Sequence, residues 1–186
     1  KTRPGEYAEA DVLIGIPAPA MRALAKECRA LSLAETAALL RSRIHESRVL
    51  ALLILVRAYA NGADALKKDI YALYLQNVRF VNNWDLVDIS AEHIVGPHLR
   101  YRSKRPLRIL AASRLLWKRR IAVMATFHYI RHGEFAETLH LAGLLLGDTE
   151  DLIHKAVGWM LREIGKRDRA AEEKFLRAHC RRMPRT

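Results

Sequence analysis

Ser32-Leu-Ala-Glu35-Thr-Ala-Ala-Leu-Leu-Arg41, a short break, then His45 through Asn61-Gly62: this stretch decides the fold. Ser32-Leu-Ala-Glu35 is a capping box, in which the serine oxygen takes an orphan N–H and the glutamate reaches back to the serine's own. It opens a helix to about Arg41, and a second helix spans roughly 45–60. Outward from there the periodicity stays helical. Pro17 and Pro19 sit where a preceding helix starts, running to about Arg29. Further amphipathic stretches cover roughly 63–79, 83–95, 105–113, 115–131, 134–145, 149–165 and 168–182, with breaks at Gly96-Pro97, Arg105-Pro106, Gly133, Gly147-Asp148 and around Gly165. No region alternates apolar and polar residues long enough to compete as a sheet. Connections of a few residues make consecutive helices antiparallel. Paired, they give a unit near 35–42 residues, the range of HEAT-like repeats. The expectation is an all-α fold over 1–186 as a single domain: an α-solenoid of stacked antiparallel helix pairs with a concave basic face suited to duplex DNA.

The composition narrows the function. The chain has 186 residues, 51% of them hydrophobic, which supplies a core for one domain. The longest aliphatic run, Val49 to Val56, is eight residues and ends at Arg57, against about 20 for a membrane span. No membrane partner is expected. Two cysteines, Cys28 and Cys180, make neither a disulfide framework nor a Cys-rich metal site, and point to a reducing, cytoplasmic setting. Net charge is +12, pointing to a polyanion. Between His93 and Gly133 there is no Asp or Glu, while the same 41 residues hold ten Lys or Arg. Either this is an ordinary basic surface on a basic protein or it is a local polyanion signal; the acid-free length favours the second.

Three residue patterns stand out against the helix faces. In 149–165, Leu152, Ile153, Ala156, Val157, Met160, Leu161 and Ile164 form the buried stripe, and Trp159 falls among Lys155, Arg162 and Lys166 on the other side. An indole there either packs its edge on a neighbouring helix or stacks on a ligand. In 83–95, Trp84 and Asp88 share an edge outside the stripe of Leu86, Val87, Ser90, Ala91 and Ile94. A carboxylate lowers affinity for phosphates, so one kept beside an indole suggests chemistry; the plainer alternative is a solvated or salt-bridged acid. In 115–131, Arg120 projects among apolar positions and must be paired or lie along a groove. Its neighbour Arg119 points about 100° away and reads as more solvated. Trp84 to Arg120 is 36 residues and Arg120 to Trp159 is 39, each about one repeat, which aligns all three on one face.

These residues resemble the DNA alkylation repair family, the AlkD-like DNA glycosylases built from HEAT-like repeats. The matching segments are Tyr7-Ala-Glu-Ala-Asp11-Val-Leu-Ile-Gly15 with Pro19 and Arg22, Asn83-Trp84-Asp85-Leu86-Val87-Asp88, Trp117-Lys-Arg-Arg120-Ile-Ala-Val, and Lys155-Ala-Val-Gly158-Trp159-Met-Leu-Arg162-Glu163. The resemblance implies a hydrolase: a monofunctional glycosylase that removes N7-alkylguanine and N3-alkyladenine from double-stranded DNA in base excision repair, acting as a monomer. Carried across, Trp84, Asp88, Arg120 and Trp159 match the family's active-site residues, and Tyr7 matches a tyrosine of the same cleft. Phosphate contacts are expected from Lys118, Arg119, Lys155, Arg162 and Lys166.

The chemistry fits the residue types. An alkylated purine already carries positive charge and leaves without a general acid. Asp88 can stabilise the charge that moves to the deoxyribose and orient water. Indole faces suit a cationic base, and Arg120 would hold a phosphate or fix Asp88. An open groove does not require complete base flipping. No cofactor and no metal is expected: His128 and His132 are four apart but lack the zincin glutamate and a third ligand. A lyase would want a lysine nucleophile, for which Lys118 and Lys155 are the candidates, but phosphate contacts explain both more simply. The main alternative is a non-catalytic HEAT-like module binding nucleic acid or an acidic protein.

Overall fold

The computed structural model describes residues 11–185. All regular secondary structure among them is helical, apart from one parallel bridge between Val12 and Ile44. The chain groups into two compact units, the first ending at Ile94 and the second beginning at Val95.

In the first unit, α1 (Ala18–Glu27) and α2 (Leu33–Leu40) pack on α3 (His45–Asn61), which also meets α4 (Asp64–Gln76) and the short α5 (Trp84–Asp88). The capping box forms as read: the Glu35 amide donates to Ser32 Oγ at 3.3 Å, and the Ser32 amide to Glu35 Oε2 at 2.8 Å. Leu52, Leu55, Ile70, Tyr74, Leu86 and Val87 are fully buried, each large aliphatic contributing about 1.5–3 kcal/mol relative to exposure. In the second unit, α7 (Arg105–Ala111) packs on α8 (Leu116–Ala125), α8 and α10 (Ala136–Leu145) pack on α11 (Asp151–Gly165), and α11 on α12 (Arg169–His179); α9 (Phe127–Ile130) follows α8 directly. Leu107, Ile121, Met124, Ile130, Ile153, Met160 and Ile164 fill its interior. Each unit thus stacks short helices in series, the solenoid-like arrangement expected.

The helices depart from expectation in three places. The stretch 83–95 is two helices, α5 and α6 (Ala91–Leu99), because the Ser90 hydroxyl turns back to the Leu86 carbonyl at 2.5 Å and takes the Tyr74 hydroxyl at 3.0 Å. The stretch 115–131 breaks at Thr126, whose hydroxyl binds the Val123 carbonyl at 2.7 Å. Gly96-Pro97 does not stop α6, which ends at Leu99. Gly96 serves close approach instead: a Cβ there would stand 2.6 Å from Cβ of His128.

Candidate active site

α5 is five residues long, too short to hold itself, and side chains fix its first turn. Asn83 Oδ1 accepts from the Trp84 amide at 2.7 Å, and Asp85 Oδ1 from the Leu86 amide at 2.8 Å. Leu86 and Val87 anchor the inner face at zero exposure. On the outer edge Trp84 is 44% exposed, and Asp88, one turn on, is half-buried. Beneath lies Tyr74, wholly buried. Burial pushes its phenol above the ordinary value, Asp88's negative charge adds to this, and the Ser90 bond opposes it. The charge of Asp88 is thus felt at a buried hydroxyl.

The segment leading into the first unit is strapped to α3. The His45 amide donates to the Val12 carbonyl at 2.8 Å. The Glu46 carboxylate takes the Ile14 amide at 3.0 Å and the Gly15 amide at 2.8 Å. Gly15 has φ +82°, a conformation that favours glycine. Burial opposes charge on Glu46, but those amides and the neighbouring His45 hold its carboxyl below the usual value. Arg48 Nη2 pairs with Asp11, whose side chain is 2% exposed. His45 Nδ1 lies 3.1 Å from Asp11 Oδ2, and its Nε2 lies 2.6 Å from Asp85 Oδ2. Sequence reading missed this cluster. Its signal was the polar turn His45-Glu46-Ser47-Arg48 set directly before the aliphatic run from Val49. Tyr7 lies outside the described residues.

Arg120 is buried in the second unit and donates through Nη1 to the Leu152 carbonyl of α11 at 2.6 Å, so the guanidinium is partnered as its position requires. Trp159 lies on the same helix, two turns beyond Leu152, half-buried. Its ring meets Phe127 at 5.8 Å between centroids and 54°, and Arg131 lies 4.8 Å from the other partner's ring, that of Phe127. The structure therefore brings Trp84 together with Asp88 in the first unit, and Arg120 with α11, which carries Trp159, in the second.

The basic residues divide. Lys155 and Arg162 are exposed on α11, and Lys166 is exposed just past its end. Lys155 pairs with Asp151 and Lys166 with Glu163, both at 2.6 Å. Lys118 is half-buried. Arg119 is not the solvated residue its angle suggested. Its Nε and Nη2 reach Asp148 at 2.6 and 3.1 Å, and its Nη1 donates to the carbonyls of Ser113 and Arg114. Within the acid-free stretch Arg100 also finds Glu134 at 2.8 Å and Arg108 finds Glu137 at 2.9 Å. These acids follow 29 to 34 residues later, beyond the stretch itself. Arg105 and Arg114 are exposed.

No helix among the described residues is long and apolar enough to cross a membrane. No curated protein matches the chain. A solved structure, a predicted DNA alkylation repair enzyme from Enterococcus faecalis, shares the fold with a TM-score of 0.70 at 20% identity, covering 92% of this chain and 84% of that one. The model of the DNA alkylation repair enzyme family matches residues 4–186. With that match over nearly its whole length, the chain belongs to the DNA alkylation repair enzyme family.

Proposed function

We propose that this protein is a DNA glycosylase that excises positively charged alkylpurines, N7-alkylguanine and N3-alkyladenine, from double-stranded DNA. The observation that carries this reading is the half-buried carboxylate of Asp88, one turn from the exposed indole of Trp84, in a chain of net charge +12. A surface meant only to hold phosphates gains nothing from such a carboxylate.

Each residue has a role. Alkylation makes the base a cationic leaving group, so bond cleavage needs no general acid. Positive charge then develops on the deoxyribose, where Asp88 stabilises it and orients the attacking water. Fixed charges of this kind are worth roughly 10²–10³ in rate. Trp84 and Trp159 offer indole faces to the cation, at about 0.5–2 kcal/mol each. Arg120 holds a phosphate or fixes Asp88, and Tyr7 takes part in binding the substrate. Lys118, Lys155, Arg162 and Lys166 hold the backbone. Lys155 pairs with Asp151 on one helix, and a phosphate displaces such an exposed pair at small cost; when Lys166 turns to a phosphate, its buried partner Glu163 keeps Arg167. Arg119 is held by Asp148, so its contribution to a phosphate contact goes with release of that pair. Acting on chromosomal DNA, the protein works inside the cell, as a monomer.

The test is incubation with methylated duplex DNA followed by chromatography of released bases. Release of 7-methylguanine and 3-methyladenine, with no release of uracil or hypoxanthine, supports the reading. Tight duplex binding without release favours a non-catalytic binding module.

A further inference from the structure

We propose that His45, bridging the carboxylates of Asp11 and Asp85, is the positioning residue of the site: it ties α5, with Trp84 and Asp88, to α3 and to the strapped N-terminal segment. The proposal rests on the glycosylase reading for its link to rate, but its structural half stands on geometry alone.

Two carboxylates each require an N–H from the same ring. Asp85 spends Oδ1 on the Leu86 amide and has Oδ2 for His45 Nε2. Asp11 turns Oδ1 to Arg48 and Oδ2 to His45 Nδ1. A neutral imidazole has one N–H and an imidazolium has two, so only the charged ring donates to both. Of the charged groups facing His45, the carboxylates favour that state and one guanidinium opposes it. Asp11 comes from the N-terminal segment and Asp85 from α5. From α3 come Arg48, with Nη2 at 3.4 Å from Nδ1, and Glu46. Burial disfavours charge on His45, yet Asp85 and Asp11 outweigh it and hold the imidazole above its ordinary value.

Loss of the proton therefore releases one of the two carboxylates. If Asp85 lets go, α5 loses its side-chain tether to α3, and Asp88 sits on a five-residue helix held by its apolar face and the Asn83 cap. The bridge is complete below the ordinary histidine value and lost as pH rises through the raised one.

The sharpest variants are at Asp85, whose side chain is 34% exposed. Asp85→Ala removes the tether. Asp85→Asn replaces it: the new amide oxygen accepts from Leu86, and its nitrogen donates to a neutral His45 Nε2. Two readouts are used. One is the single-turnover rate of 7-methylguanine release from methylated duplex at saturating protein. The other is acrylamide quenching of Trp84 as the sole tryptophan, in a Trp117→Phe, Trp159→Phe background. For Asp85→Ala the rate falls about 10- to 100-fold, the scale of an ångström-sized misplacement. Duplex binding stays within about threefold and Trp84 quenching rises. Asp85→Asn recovers most of that loss and abolishes the alkaline pH step in Trp84 emission that the wild type shows. His45→Gln, which cannot span both carboxylates, behaves like Asp85→Ala. A folded Asp85→Ala protein with unchanged rate and quenching overturns the proposal, as does an alkaline step that persists in Asp85→Asn. If the wild type releases no base, the glycosylase reading fails, while Trp84 quenching and the pH step still decide the role of His45.

Discussion

The two compact units are nearly equal in length and differ in charge economy. Residues 95–186 hold 20 of the 32 Lys and Arg and 9 of the 20 Asp and Glu, a net +11, which leaves +1 for residues 1–94. The first unit buries one cluster of charges, although most of its described charged residues, such as Arg22, Lys26, Arg57 and Asp69, are exposed. Asp11 and Arg48 are 2% and 5% exposed at the side chain and form one connected cluster with His45. The second unit carries most of its charges outside, in pairs such as Arg169–Glu173, with Arg105 and Arg114 exposed besides. Buried pairs are costly to break because one charge is left without water, whereas exposed pairs are worth little. On the glycosylase reading, the buried cluster of the first unit holds geometry and the exposed cations of the second meet the polyanion.

The test with the largest effect sets chemistry against binding. Asp88→Asn keeps the side chain's shape and removes a charge, and should lower single-turnover base release by roughly 10²–10³. Duplex affinity should be unchanged or slightly tighter. Wild-type rates in this variant would remove Asp88 from the mechanism and favour the binding module.

The next effect falls on stability in the second unit, where the comparison has its exception. Arg120 is 5% exposed and bonded to the Leu152 carbonyl, and Glu163 and the Asp148 side chain are buried in the same unit. Arg120→Met fills much of the space but removes the charged bond to a carbonyl that keeps its helical partner, a loss of about 1.5–3 kcal/mol. Calorimetric melting reads it, and Arg105→Ala on the surface should shift the melt far less. An Arg120→Met protein as stable as the wild type would mean that the guanidinium is held for function alone.

The same division explains what the sequence could and could not disclose. The helices were legible because caps and apolar stripes are local: Ser32 with Glu35, and Ile153 through Ile164 every three or four residues. The breaks at Ser90 and Thr126 were not, since both residues suit a helix until their hydroxyls bond back to its carbonyls. At Ser90 the other partner, Tyr74, lies on another helix. Trp84, Asp88, Arg120 and Trp159 stood out because each breaks its helix's pattern. The Asp11–His45–Asp85 bridge spans 34 and 40 residues, and no local window contains it. The acid-free stretch hid three ion pairs for the same reason: Glu134, Glu137 and Asp148 answer Arg100, Arg108 and Arg119 from one repeat further on.

A salt titration sharpens this point. Each phosphate contact adds about 0.9 to the slope of log K against log salt. If Arg105 and Arg114 each contact a phosphate, replacing both by alanine lowers the slope by about 1.8. Replacing Arg108 and Arg119 should lower it by less, because each already faces a carboxylate. Equal losses would show that the acid pairs open on DNA and that the second unit's whole basic complement is available.

The smallest effect is at Trp159, where the comparison between holding geometry and meeting a ligand comes down to one side chain. The half-buried indole packs against Phe127, a contact worth about 0.5–1.5 kcal/mol beyond the area it covers. A ligand contact with a cationic base is worth about 0.5–2 kcal/mol, so stability alone cannot separate the two roles. Selectivity can. The electron-rich face of an indole favours a cation over a neutral purine, whereas packing on Phe127 is indifferent to what the DNA carries. Trp159→Phe keeps an aromatic against Phe127 and weakens the cation contact; Trp159→Ala removes both. If Trp159 meets the damaged base, both variants slow release of 7-methylguanine, and only alanine lowers the melting temperature appreciably. Equal rates per folded molecule in wild type and both variants would assign Trp159 to the packing of α9 on α11 and leave recognition of the cation to Trp84.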